Sequence, residues 1–394
     1  VKNFLQKHFK GDTVIWVITL ILLGMSLLTV YSFVPILVKI EGGTPFKYLF
    51  KHLIYVAIGV FTMRWIHKKD PVFFSKFARF GFYVAIALLI FTFFFGTKVN
   101  DAGRWIKIPF VGLTFQSSDF AKLALIVYVS KLLDRKKDVL NSWREGFWPI
   151  MFPIIVICGL IVKDNFSTAA IVFALSLTLL FIGRVPFGKL FSLVGGGILL
   201  FSFVVVIHKA APALNILPRY ETWENRILNR MADTKDVVEN AQALNAELAI
   251  YNGGIFGQGV GDGKLKEYIP EAYADFYYSS FVEEFGLISA VILVLCYLIL
   301  LYRIIRIALK SEKLFETYML LGIGILILSQ ASVNMLVCTG VFPVTGQNMP
   351  LLAMGGSGLI MTCLALGIVQ SVAYSQQKKT EKVETENTIS HESE

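Results

Sequence analysis

Ten stretches of this chain are too apolar and too long for an ordinary soluble fold. They lie near residues 13–38, 48–66, 76–96, 118–133, 147–162, 167–183, 187–208, 276–302, 315–338 and 351–374. A helix needs roughly 20 apolar residues to cross the hydrocarbon core of a bilayer. Inside that core the backbone must satisfy its own hydrogen bonds, which a helix does within one segment. The expected fold is therefore an all-α polytopic membrane protein with about ten transmembrane helices. Composition agrees: 55% of the 394 residues are hydrophobic and 16% charged, more apolar side chain than a soluble core could cover.

The bases orient the bundle. With the N-terminus inside, 22 of the 37 Lys and Arg fall on cytoplasmic segments and 7 on the short outer loops. That bias places both termini in the cytoplasm. The net charge of +9 comes from these short clusters, an orientation signal rather than a nucleic-acid stripe, so no nucleic-acid partner is expected. The organisation follows: a cytoplasmic N-terminus at 1–12, a membrane domain at 13–375 and a polar tail at 376–394 expected to be disordered. One long extracytoplasmic loop, 209–275, separates the seventh and eighth spans. The first apolar run lacks a small-residue cleavage site and reads as a retained helix. Cys158, Cys296, Cys338 and Cys363 fall at unrelated spacings within apolar runs, as packed free thiols do.

In this orientation the unusual polar features gather at the outer face. They are VNDAGRWI (99–106), QSSDFAK (116–122), KDNFST (163–168), the long loop, EYIPEAYADFYYSSFVEEFG (267–286) and FPVTGQNMP…MGGSG (342–358). Ionisable groups at membrane depth are expensive and mark function by default. Asp275 opens the eighth span, where the helix dipole favours a carboxylate and the apolar flank FYY disfavours it. A carboxylate so balanced can act as a general base; the plainer reading is a helix cap. Glu283 and Glu284, about two turns deeper, read as partners for another helix. Asp119 and Lys122, spaced i, i+3, can meet on one helix face, with Asp164 a second candidate counter-charge. Arg219, Arg226 and Arg230 suit a pyrophosphate or an anionic headgroup, or equally a solvated amphipathic helix. The Gly-rich run GGIFGQGVGDGK (253–264), ending in Lys264, could bring backbone amides to phosphate oxygens. The glycines of GGSG (355–358) suit close helix packing. Trp105 reads as a belt aromatic. No nucleotide-binding motif is present, so a reaction would draw its driving force from the substrate itself.

The ordered set of outer-face motifs resembles the SEDS family of bacterial shape, elongation, division and sporulation proteins, from about residue 13 to 374. Within it, the PVTGQNMP turn is closer to the division branch than to the elongation branch. The resemblance implies a peptidoglycan glycosyltransferase that polymerises lipid II at the outer face of the bacterial inner membrane, at the division septum. It implies Asp275 as the catalytic residue, Glu267 and Trp105 in support, and Asp119 with Lys122 as the family's acid–lysine pair. It further implies a class B penicillin-binding transpeptidase and other divisome proteins as partners. A divalent cation, Mg2+ or Mn2+, is the expected cofactor for a departing pyrophosphate. KDNFST, YADF and MGGSG each depart from the family's usual residues, although Asp164 is retained. Two rival functions are a lipid II flippase, which would need polar groups through the full bilayer depth, and a non-enzymatic divisome scaffold.

Overall fold

The computed structural model describes residues 10–99, 102–107, 113–162, 165–210, 239–269, 272–354 and 356–392. Each of the ten expected spans is a helix: α1 Thr13–Glu41, α2 Pro45–Ile66, α3 Pro71–Phe95, α4 Ser117–Arg135, α5 Trp148–Val162, α6 Phe166–Ile182, α7 Phe187–Ala210, α9 Tyr277–Leu309, α10 Leu314–Cys338 and α11 Gly356–Glu392. Helix α8, Glu239–Gly253, lies within the long loop between α7 and α9. Local chemistry sets several starts. Asp12 accepts from the Val14 and Ile15 amides and Asp70 from Val72, while Pro45 and Pro71 occupy first-turn positions that need no amide donor.

Eight of the ten have the length and composition to cross a membrane unaided. Helix α6 is shorter, and α4 is polar because it carries Asp119 and Lys122. Helix α4 can be polar because it sits in the middle, packed on α3, α5, α6, α10 and α11, with its mid-section buried on all sides. Helix α7 is its opposite: it touches little besides α6, and Phe191, Phe203 and Leu199 point outward as a lipid-facing wall.

Three features depart from the sequence expectation. First, residues between α3 and α4 form a small antiparallel sheet, β1 Thr97–Val99, β2 Ala102–Lys107 and β3 Thr114–Gln116, ordered β1-β2-β3. Second, the tenth span begins at Gly356 rather than 351. Residues Met349, Leu351, Leu352 and Ala353 are buried but not helical. Irregular backbone at this depth is tolerated when protein supplies its hydrogen bonds. Here Tyr297 donates to the Pro350 carbonyl, Ser26 to the Leu352 carbonyl, and the Met354 amide to the Tyr273 carbonyl. Third, the tail expected to be disordered from Gln376 continues α11 to Glu392. Gln376 donates to the Ile307 carbonyl and Lys379 pairs with Glu312, which fastens the start of that tail to the end of α9.

The loops alternate between two ends. Asp12, His67, Arg303 and Gln370 cluster at one, the end that the charge bias assigns to the cytoplasm: Arg303 pairs with Asp12, and Gln370 bonds its backbone. Strand β3, residues 272–276 and the 340–354 turn meet at the other.

Candidate active site

Helix α9 is broken near its outer end. Gly286 has φ +76° and ψ 177°, so Tyr277–Phe285 and Leu287–Leu309 are two helices joined at a kink. The carbonyls and amides released by the break are taken up by the Gly-rich run. The Gln258 and Gly259 amides donate to the Glu283 and Glu284 carbonyls, and the Leu287 and Ile288 amides donate to the Gly254 and Ile255 carbonyls. A Cβ on Gly286 would meet the Ile255 carbonyl oxygen at 2.5 Å, and one on Gly257 would meet the Glu284 carbonyl at 2.2 Å. These glycines allow backbone to approach backbone; the run docks on α9 rather than presenting a phosphate cradle. Lys264, at its end, is exposed.

The next segment carries the carboxylates. Glu283 is buried, and its Oε1 accepts from the Lys264 and Leu265 amides at 3.0 and 3.1 Å. Glu284 pairs with Lys266 at 2.5 Å and accepts from Ser32 of α1. Glu284 thus reaches another helix, as expected, whereas Glu283 holds loop amides instead; that Lys266 is the partner of Glu284 was not anticipated. Glu267 follows on a short 3-10 turn, Leu265–Tyr268, with its side chain exposed.

Asp275 is half-buried just before α9. It is not the cap, since Phe276 holds the N-cap position and no side chain caps it. The Asp275 carbonyl accepts from Asn334 Nδ2 of α10 at 2.9 Å, and the same Nδ2 donates to the Gln347 carbonyl at 2.9 Å. Gln347 in turn donates to Thr168 of α6 at 2.7 Å. Sequence reasoning missed Asn334; the signal was an amide four residues after Gln330, within the spanning segment that contains SQASVNMLVC, where an unpartnered polar group would be costly.

Gln347 also lines a cavity of about 40 Å³, shared with Gln116, Asp119, Lys122, Gln330 and Gly358. That is room for one or two waters. In its wall the Lys122 ammonium stands 2.8 Å from Asp119, as the i, i+3 spacing predicted. Ser357, at the start of α11, donates to Asp119 and accepts from the Gln116 amide. A Cβ on Gly356 would fall 2.6 Å from the Tyr55 ring, so this glycine serves close packing. Trp105 is half-exposed on β2 and pairs across the sheet with Gln116, which ties it to the cavity's edge. The structure thus gathers Asp119 and Lys122 in one cavity, with Trp105 linked to its edge through Gln116. Asp275 joins through Asn334 and Gln347. Glu267 and Lys264 lie on the adjoining segment. Asp164, Arg219, Arg226 and Arg230 lie outside the described residues.

Among the described residues no group of three His, Cys, Asp or Glu side chains converges so as to hold a metal ion. No resident cation site is assigned, and no step is routed through one.

The chain matches the model of a cell cycle protein family, FtsW/RodA/SpoVE, over residues 12–378. It is 31% identical over 380 residues to a probable peptidoglycan glycosyltransferase FtsW of Trichlorobacter lovleyi, covering 94% of this chain and 96% of that one. It is 28% identical to stage V sporulation protein E of Bacillus subtilis, covering 93% and 98%. Among solved structures it resembles a chain from a peptidoglycan synthase complex, with a TM-score of 0.71, 22% identity, and 93% and 99% covered. It also resembles the rod shape determining protein RodA of Thermus thermophilus, with a TM-score of 0.64, 20% identity, and 93% and 97% covered.

Proposed function

The chain belongs to the FtsW/RodA/SpoVE family of cell cycle proteins, and from that membership we propose that it is a peptidoglycan glycosyltransferase, a multi-pass membrane enzyme that polymerises lipid II at the outer face of the cytoplasmic membrane. The observation that carries this reading is the placement of Asp275. It stands at a helix start, bonded through Asn334 to the rim of the polar cavity that holds the buried Asp119–Lys122 pair.

In the proposed reaction the Asp275 carboxylate takes the proton from the 4-hydroxyl of the acceptor sugar. The freed oxygen attacks the anomeric carbon of the donor, the bond to the pyrophosphate oxygen breaks, and polyprenyl pyrophosphate departs with inversion at that carbon. One carboxylate suffices because pyrophosphate leaves without protonation by a paired acid, unlike the leaving group in the two-carboxylate glycosidases. Glu267 and Trp105 support the acceptor side. Arg219, Arg226, Arg230 and Lys264 are the residues proposed to bind the departing pyrophosphate, where positive charge would lower the barrier. A class B penicillin-binding transpeptidase is the proposed partner, and the division septum the proposed site of action. Mg2+ or Mn2+ is the proposed cofactor.

The test is polymerisation of fluorescent lipid II by the purified protein. Glycan polymer should form, and Asp275→Asn should abolish it with the protein still folded. Lipid II that crosses the bilayer without being polymerised would replace the enzyme by a flippase, and growth supported by Asp275→Asn at normal expression would favour a scaffold.

A further inference from the structure

Lys266 and Glu284 are clasped together although 18 residues separate them, with Asp275 midway between them in sequence (266 to 275, 275 to 284). Lys266 Nζ lies 2.5 Å from Glu284 Oε1, and both residues are 3% exposed. The same ammonium donates to the Ser32 hydroxyl and carbonyl of α1 and to the Gly261 carbonyl. Glu283, the neighbour of Glu284, accepts from the Lys264 and Leu265 amides through its Oε1. Two adjacent glutamate side chains thus hold one turn, Glu284 through the Lys266 ammonium and Glu283 through the backbone amides of Lys264 and Leu265. The Asp275 carbonyl is held separately by Asn334.

A buried ammonium with four acceptors on three separate segments is more than a neutralised charge. An ion pair alone would need one partner, and burial would make even that pair only marginally favourable. Lys266 joins α1, the Gly-rich run and the outer half of α9 at one point. With this point fixed and Asn334 holding the Asp275 carbonyl, the outer piece of α9 is held both at Glu284 and at its start.

We propose that Lys266 is a positioning residue for Asp275: through its contacts with Glu284, Ser32 and Gly261 it sets the height and direction at which the carboxylate meets the acceptor hydroxyl. This rests on the reading of Asp275 as the general base. Lys266 touches no substrate, so its loss should lower turnover while leaving the affinity for lipid II alone. A misplacement on the order of 1 Å costs about 100-fold in rate.

Two variants of the full chain in detergent test this, each with kcat and KM for lipid II, apparent Tm, and hydrogen exchange at amides 264–268. Lys266→Met removes the clasp but leaves Glu284 buried and unpaired. The double variant Lys266→Met/Glu284→Gln removes both charges and keeps the volume. In the double variant we expect near-normal Tm, faster exchange at 264–268, kcat lower by about 100-fold and KM within about threefold of the parent. Parental kcat in a folded double variant overturns the proposal. So does failure of the double variant to fold, which would make the clasp a determinant of folding alone. Activity retained by Asp275→Asn would remove the general-base reading instead, whereas the role of Lys266 in holding the 264–268 turn is still read from exchange there.

Discussion

Asn334 Nδ2 donates to the main-chain carbonyl of Asp275 at 2.9 Å from a fully buried position on α10. Its second bond, to the Gln347 carbonyl, makes one amide group the hinge pin between the start of α9 and the re-entrant turn before α11. Asn334→Leu strands both carbonyls without a donor. Leaving a buried acceptor unsatisfied costs about 1–3 kcal/mol, so apparent Tm should drop by several degrees. Turnover should fall further than stability explains, about 100-fold if Asp275 shifts on the order of 1 Å. Asn334→Asp should behave like the Leu variant in turnover, because a carboxylate has no hydrogen to give either carbonyl. Kinetics on lipid II alongside thermal unfolding checks both statements.

The Asp119–Lys122 pair lies 2.8 Å apart with side chains 11% and 5% exposed. Breaking a buried pair by removing one partner typically destabilises by about 3–5 kcal/mol, because the other charge is left stranded. Lys122→Met should therefore unfold well below the parent, and Asp119→Asn combined with Lys122→Met should recover much of the loss. Equal destabilisation in the single and double variants would show that the two charges do not depend on each other. Thermal unfolding in detergent decides it.

At the opposite end, His67 should make stability fall in mild acid. It is buried between helices, edge-on to Trp16 with ring centroids 5.7 Å apart, and its Nδ1–H donates to the Arg64 carbonyl. Burial pushes its pKa below the ordinary 6.5, with the charges of Arg64, Lys68 and Lys10 adding to the effect and the Arg64 carbonyl opposing it. Below pH 6.5 the unfolded chain therefore takes up a proton that the folded chain refuses. The contribution of neutral His67 is complete above that pH and is lost as pH falls from 6.5 toward the lower folded value. Apparent Tm should be level from pH 7 upward and decline below it, and His67→Gln should flatten that decline.

The helices were legible because crossing a bilayer requires a length of apolar chain that nothing else in a sequence imitates. The start of the tenth was misplaced because MPLLAM is as apolar as a span, yet its burial is against protein: hydropathy measures exclusion from water and not what replaces it. Strands β1 and β3 were missed because three residues are too few to display alternation, and β2, AGRWIK, because it does not alternate apolar with polar residues. Asp119 and Lys122 were readable because their meeting is set by helical spacing alone. Lys266 was not, since its partner lies 18 residues away and meets it only because a loop folds back onto a broken helix. The glycines of 253–264 were visible, but what approached them, a helix backbone rather than a phosphate, depended on that same break.

The kink at Gly286 also divides α9 into two pieces with different surroundings. Leu287–Leu309 turns Leu287, Val291, Leu295 and Leu298 outward, as a lipid-facing helix does, and carries Arg303 and Arg306 near its cytoplasmic end. Tyr277–Phe285 instead packs almost wholly against protein and is splinted to the Gly-rich run. Glu283 and Glu284 ride on that enclosed piece, so protein amides and an ammonium, rather than oil, solvate their charges.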